Sequence, residues 1–146
     1  MNEVHIVCGV AALALNALAA CWGAWAWWRA EPSTSFWRVL RVAQLAILVE
    51  IVAGGIYYLI HRHSPSLHLL YGVLPIAVSF IAEGLRASSA QLVLDKHGHA
   101  SAQDVGKLPA DEQRAVVIEI LHREIGVMTL SALVIVGLLI RAATTG

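Results

Sequence analysis

The chain has 146 residues, 58% of them hydrophobic and only 14% charged, with a formal net charge of zero. Soluble domains run at about 45–50% apolar and about 25% charged, so an ordinary soluble fold is excluded. No basic surplus points to nucleic acid. Four apolar runs approach or exceed the roughly 20 residues that cross a bilayer. The expected architecture is therefore all-α, an integral membrane four-helix bundle forming a single transmembrane domain over residues 1–146.

The first span, about residues 4–28, lacks a basic leader and is longer than a signal-peptide core, so it reads as a mature helix. Cys8 and Cys21 both lie in it, roughly 20 Å apart along a helix, too far to pair with each other. They read as small buried hydrophobes. Trp22, Trp25, Trp27 and Trp28 close this span and Trp37 follows the turn, a grouping typical of the membrane–water boundary. Pro32, Ser33 and Ser35 mark the turn.

The second span, about 36–60, carries Arg38, Arg41, Gln44 and Glu50. A turn holding His61 and His63 follows, with Ser64 as N-cap and Pro65 at the first position of the next helix. The third span covers about 65–90, and Pro75 is expected to kink it and free a carbonyl one turn earlier. Residues 96–109 read as a solvated cytoplasmic loop containing His97 and His99. The fourth span, about 115–141, begins as an amphipathic stretch.

Orientation follows from the basic residues. Arg29, Arg38, Arg41, Arg86, Lys96, Lys107, Arg114 and Arg123 fall on one side, and only Arg62 and Arg141 on the other. The positive-inside rule then predicts a multi-pass protein of the plasma membrane with both termini outside (N-out/C-out).

This topology gathers His5, His61, His63 and His68 at the outer ends of three helices. Below His5 the helical face reads Gly9, Ala12, Asn16 and Ala19. Below His68 it reads Gly72, Pro75, Ser79 and Ala82, at the same offsets. Each histidine thus has a glycine one turn deeper and a polar residue near mid-membrane. Two cofactor readings fit. One is haem b held by His5 and His68 as axial ligands, with Gly9 and Gly72 making room for the macrocycle. The other is a copper or zinc site drawing on His5, His68, His61 and His63. Interfacial histidines that merely solvate helix ends are the alternative to both.

The pattern Glu50-x3-Gly54-Gly55, a short loop with Pro65, and Leu67-His68 opening the next helix resembles haem A synthase and, more broadly, membrane b-type cytochromes. In haem A synthase a similar hairpin precedes a haem-ligating histidine at the outer membrane face. The preceding helix of that family starts with a second histidine behind a glutamate, which Glu3 and His5 resemble. The resemblance spans the first three helices, as in one four-helix half of the family. Glu50 stands where the family usually has glutamine, and no arginine follows His5. The resemblance implies a bis-histidine haem geometry.

Glu50 falls near the centre of its span, where a carboxyl group is costly and is expected to face the bundle interior. Its stripe of Gly54, Tyr57 and His61 leads to the outer histidines, and Asn16, Ser79 and Thr129 lie at similar depth as possible partners. Proton relay, tuning of the outer site and a plain interhelical hydrogen bond all fit it. A second polar set, Glu83, Arg86, Glu119 and His122, sits at the inner leaflet with Arg41, Arg123 and Glu124. It fits salt bridges between helices or a quinone-head-group site. No nucleophile–base constellation appears, so a hydrolase is not indicated.

Two functions stay open from sequence. The first is haem binding and electron transfer at the outer face. The second is a non-catalytic accessory or assembly subunit of a larger, respiratory-type membrane complex. Its partners would be the lipid bilayer and other membrane subunits or a second copy of the chain.

Overall fold

The computed structural model describes residues 2–61 and 66–145. His63, together with Arg62, Ser64 and Pro65, lies outside the described residues. Five helices follow one another: α1 (Asn2–Arg29), α2 (Thr34–His61), α3 (Ser66–Lys96), the short α4 (Ala102–Val105) and α5 (Ala110–Thr145). The four long helices are each long and apolar enough to cross a membrane.

Each long helix ends for a local reason. Ala30 adopts a left-handed conformation (φ 51°) after α1. Its N–H donates to the Trp27 carbonyl and the Glu31 N–H donates to Ala26, so two of the helix's last free carbonyls are satisfied. Ser33 then caps α2, its Oγ accepting from the Phe36 N–H at 3.2 Å and from Trp22 Nε1 at 3.2 Å. The same reversal recurs after α3 at Gly98 (φ 73°), where a residue without Cβ fits best. There the His99 N–H returns to the Leu94 carbonyl at 2.9 Å.

α3 and α5 extend well past the apolar runs, and α4 folds between them. Val93, Leu94, Val105 and Val116 form a small separate core at this end, with Leu108 and Ile120 against it. The stretch read from sequence as a solvated loop is thus a packed helical cap.

Within the bundle, α1 packs along α2 and α5, and α3 packs along α5, while α2 and α3 meet only sparsely. The core is built largely from alanine: Ala12, Ala19, Ala20, Ala26, Ala43, Ala82 and Ala132 are all buried. Large apolar side chains such as Leu45, Leu59, Phe80, Ile81 and Val134 point outward instead. The alanines are buried beside Phe36, Leu40, Ile47, Ile125 and Met128, and small residues at these contacts let the helix backbones approach closely.

Glycine sets the register of α1 against α2. A Cβ on Gly9 would stand 3.2 Å from Glu50 Oε1, and one on Gly54 would stand 3.1 Å from His5 Cε1. Lower down, a Cβ on Gly23 would come within 2.6 Å of the Phe36 ring and 2.2 Å of Thr129 Oγ1. Residues 5, 9 and 23 therefore sit directly against 54, 50 and 36.

Candidate functional site

At one end of the bundle, His5 near the start of α1 and His68 near the start of α3 come together. Their rings stand edge to face, with centroids 5.8 Å apart and planes at 78°. They are 63 positions apart in sequence and belong to helices that do not pack along one another; α5, lying between α1 and α3, brings them together.

Each imidazole has an oxygen beside its Nδ1. His68 Nδ1 lies 2.8 Å from the Ala142 carbonyl oxygen. A carbonyl only accepts, so Nδ1 donates this hydrogen bond, and in the neutral ring Nε2 is then the lone-pair nitrogen. The Ala142 carbonyl belongs to the last turn of α5, where backbone acceptors turn to side chains, and it also accepts from Thr145 Oγ1 at 3.2 Å. His5 Nδ1 lies 2.9 Å from Glu50 Oε1. The pair is close but not aligned as a hydrogen bond, and Glu50 Oε2 is buried with no partner. Glu50 itself is 9% exposed.

Tyr57 completes this end. Its ring stacks on His5 at 6.1 Å and on His61 at 4.3 Å. His61 turns its Nδ1 towards the Tyr57 carbonyl at 3.1 Å. Beside His5 an apolar groove of about 480 Å³ runs between α1 and α2, lined by Val4, Cys8, Leu48, Val52 and Ile56 among others.

The glycines beneath the two histidines differ in role. Gly9 receives the Glu50 carboxylate, whereas Gly72 has no side chain or neighbouring backbone within 4 Å of where a Cβ would stand. The mid-depth polar residues are turned away from Glu50: Asn16 Nδ2 donates to the Ala12 carbonyl at 2.8 Å, and Ser79 Oγ to the Pro75 carbonyl at 2.8 Å. Thr129 Oγ1 is buried without a hydrogen-bond partner among the described residues.

The second polar set divides in two. Glu83 is the hub of the first part: Arg41 and Gln44 reach it from α2, and Arg86 Nε donates to it at 2.9 Å from one turn on. Arg86 also faces Glu124 at 3.8 Å. In the second part Glu119 pairs with Lys96 at 2.8 Å and His97 at 2.9 Å, stitching α5 to the end of α3. His122 stands apart from Glu119, beside the Trp27 ring at 6.0 Å.

Sequence reasoning named His5, His68 and Glu50 but missed two features that join them. The Ala142 carbonyl carries no side-chain signal. The His5–Glu50 contact was hidden because it depends on the α1–α2 register, although Gly9 and Gly54 are its sequence trace.

No family model, curated protein or solved structure matches this chain. Fold and site together define an all-helical bundle with four potential membrane-crossing helices and a histidine pair at one end. Chemically, two imidazoles with an oxygen beside each Nδ1 leave two Nε2 atoms as potential donors. That number suits the two axial positions of a haem, whereas zinc takes three or four protein ligands. A carboxylate or carbonyl behind Nδ1 is also the usual support of a metal-bound histidine.

Proposed function

We propose that this is a small multi-pass protein of the plasma membrane, N-out and C-out, that binds haem b at its outer face through His5 and His68. Eight of the ten lysines and arginines lie in or near the inner half, which supports the orientation. One observation carries the haem reading: the two histidines meet across the bundle, with the Ala142 carbonyl accepting from His68 Nδ1 and Glu50 Oε1 2.9 Å from His5 Nδ1. Such a group supplies one-electron transfer, and the resemblance to membrane b-type cytochromes points the same way.

The residues around the pair have separable roles in this reading. Glu50 orients the His5 ring and makes it a stronger donor. The C-terminal turn of α5 does the same for His68. Tyr57 restricts rotation of His5, and the apolar groove beside it keeps water from that face. Gly9 and Gly54 let Glu50 and His5 approach across α1 and α2.

The test is a reduced-minus-oxidised visible spectrum of protein purified in detergent after expression with excess haem precursor. The reading expects b-type bands that are lost in both His5→Ala and His68→Ala and retained in His97→Ala. Absence of bands in the parent protein, or their retention in both ligand variants, overturns it. Metal analysis on the same sample distinguishes copper or zinc.

A second reading is an accessory subunit of a larger membrane complex. The sparse contact between α2 and α3 favours it. This seam opens a groove of about 160 Å³ lined by Gln44, Leu48, Ile76, Ser79 and Phe80, with Arg41 and Glu83 at its inner end. A neighbouring subunit's helix would close it.

A further inference from the structure

The bundle has one open side. α1 packs along α2 and α5, and α3 along α5, while α2 and α3 meet only sparsely. The groove left between them, about 160 Å³, has Leu48, Ile76 and Phe80 along its length and Arg41, Gln44 and Glu83 at one end. Ser79 lines it too, but its hydroxyl donates to the Pro75 carbonyl, so that wall offers no free donor. Leu48 is 47% and Phe80 71% exposed. The groove therefore opens sideways, onto lipid once the four long helices span a bilayer.

The polar end is half used. Arg41 is half-exposed, and its hydrogen bonds all run through Nη1, which donates to Gln44 Oε1 at 2.6 Å and to Glu83. Its Nε and Nη2 have no partner among the described residues. These two nitrogens share one edge of the planar guanidinium, and their parallel N–H bonds match two oxygens of a phosphate. Glu83 presents little uncovered charge to such an anion, because Arg86 Nε donates to it at 2.9 Å and Gln44 Nε2 at 3.1 Å. One turn nearer the start of α2 stands Arg38, exposed and without an acidic partner among the described residues. This end of the groove is thus cationic and the rest is apolar.

We propose that the α2–α3 seam binds one anionic phospholipid, its phosphate on the free edge of Arg41 and one acyl chain in the groove against Leu48, Ile76 and Phe80. The charges at the mouth complement a phosphate ester, and Arg38 disfavours a head group that carries its own cation. Size favours a chain over a protein segment. A helix with its side chains is about 10–12 Å across, so it lies over this groove without entering it, whereas a single acyl chain enters. The seam involves neither His5 nor His68, so the proposal stands with or without a haem.

The test adds lipid to the purified full chain in detergent and reads bound lipid and chain stoichiometry by native mass spectrometry. The probes are phosphatidylglycerol and phosphatidylcholine with the same palmitoyl and oleoyl chains. Phosphatidylglycerol is expected to bind one per chain, roughly tenfold more tightly than phosphatidylcholine. Arg41→Gln is expected to weaken it about tenfold, through loss of the charged fork. Arg41→Lys keeps a cation for Glu83 but has no planar edge, and is expected to weaken it about threefold or more. Helix content and a monodisperse elution profile identify folded variants, and Arg41→Lys decides the matter if Arg41→Gln does not fold. Arg29→Gln removes an arginine of α1 that lies over Trp25 and is expected to change nothing. Excess glycerol phosphate, the head group without chains, is expected to leave the lipid bound. Equal binding of the two lipids, a folded Arg41→Lys that binds like the parent, an equal loss in Arg29→Gln, or displacement by glycerol phosphate overturns the proposal. So does a dimer that sheds the lipid as it forms, which would put a second copy of the chain in the seam.

Discussion

The Glu50 carboxylate reaches His5 across the α1–α2 interface because position 9 is a glycine: Oε1 lies 2.9 Å from His5 Nδ1 and only 3.2 Å from where a Gly9 Cβ would stand. Gly54 does the same for the His5 ring from the other side. Two glycines on two helices thus fix one carboxyl–imidazole contact beside one of the two histidines. Leucine at position 9 or 54 is expected to push Glu50 or His5 out of place and weaken haem binding at least tenfold. Gly72→Ala, with open space around it, is expected to leave binding intact and to stabilise α3 by up to about 1 kcal/mol. Haem titration followed in the Soret region, with thermal unfolding of the same samples, measures both.

Gly23 marks the tightest crossing in the bundle. Its added Cβ would stand 2.2 Å from Thr129 Oγ1 and 2.6 Å from Phe36. Both neighbours are buried, so Gly23→Ala is expected to destabilise the fold by about 1–3 kcal/mol, the usual range for overpacking. Gly137→Ala, where nothing lies within 4 Å, serves as the comparison and is expected to be neutral or mildly stabilising. Thermal unfolding in detergent reads the difference.

Glu83 gathers Arg41, Gln44 and Arg86 around one carboxylate. Glu83→Gln removes the charge that three donors share and leaves two guanidinium groups facing each other. The expected cost is about 1 kcal/mol, because both arginines keep partial access to solvent. High salt should shrink the difference between parent and variant in the same unfolding assay.

The proposed orientation places the end of α5 outside. A C-terminal alkaline phosphatase fusion is therefore expected to be active, and a C-terminal green fluorescent protein fusion dark. The opposite pair of results places the histidines on the cytoplasmic side.

The four long helices were legible in sequence because long apolar runs allow little else. The helix ends were less so. Ala30 closes α1 with a left-handed turn that no glycine announces, and α3 runs on to Lys96 because Val93 and Leu94 find a core with Val105 and Val116. Salt bridges between the third and fourth spans were expected from sequence, and Arg86 with Glu124 and Lys96 with Glu119 form them across α3 and α5. The particular partners were not legible: Glu119 also takes His97, and His122 lies beside Trp27. The meeting of His5 and His68 followed from topology alone. Their anchors did not, because a backbone carbonyl has no sequence signature and the Glu50 contact depends on a helix register that only packing sets.

The most direct test of the haem site is the electron paramagnetic resonance spectrum of the oxidised, haem-loaded protein. Imidazole planes crossed at 78° predict one strongly anisotropic low-spin signal per chain, replaced by a high-spin signal in His5→Ala and in His68→Ala alike. A spectrum that is high-spin in the parent protein, or low-spin and unchanged in either variant, contradicts the assignment of this pair as the axial ligands.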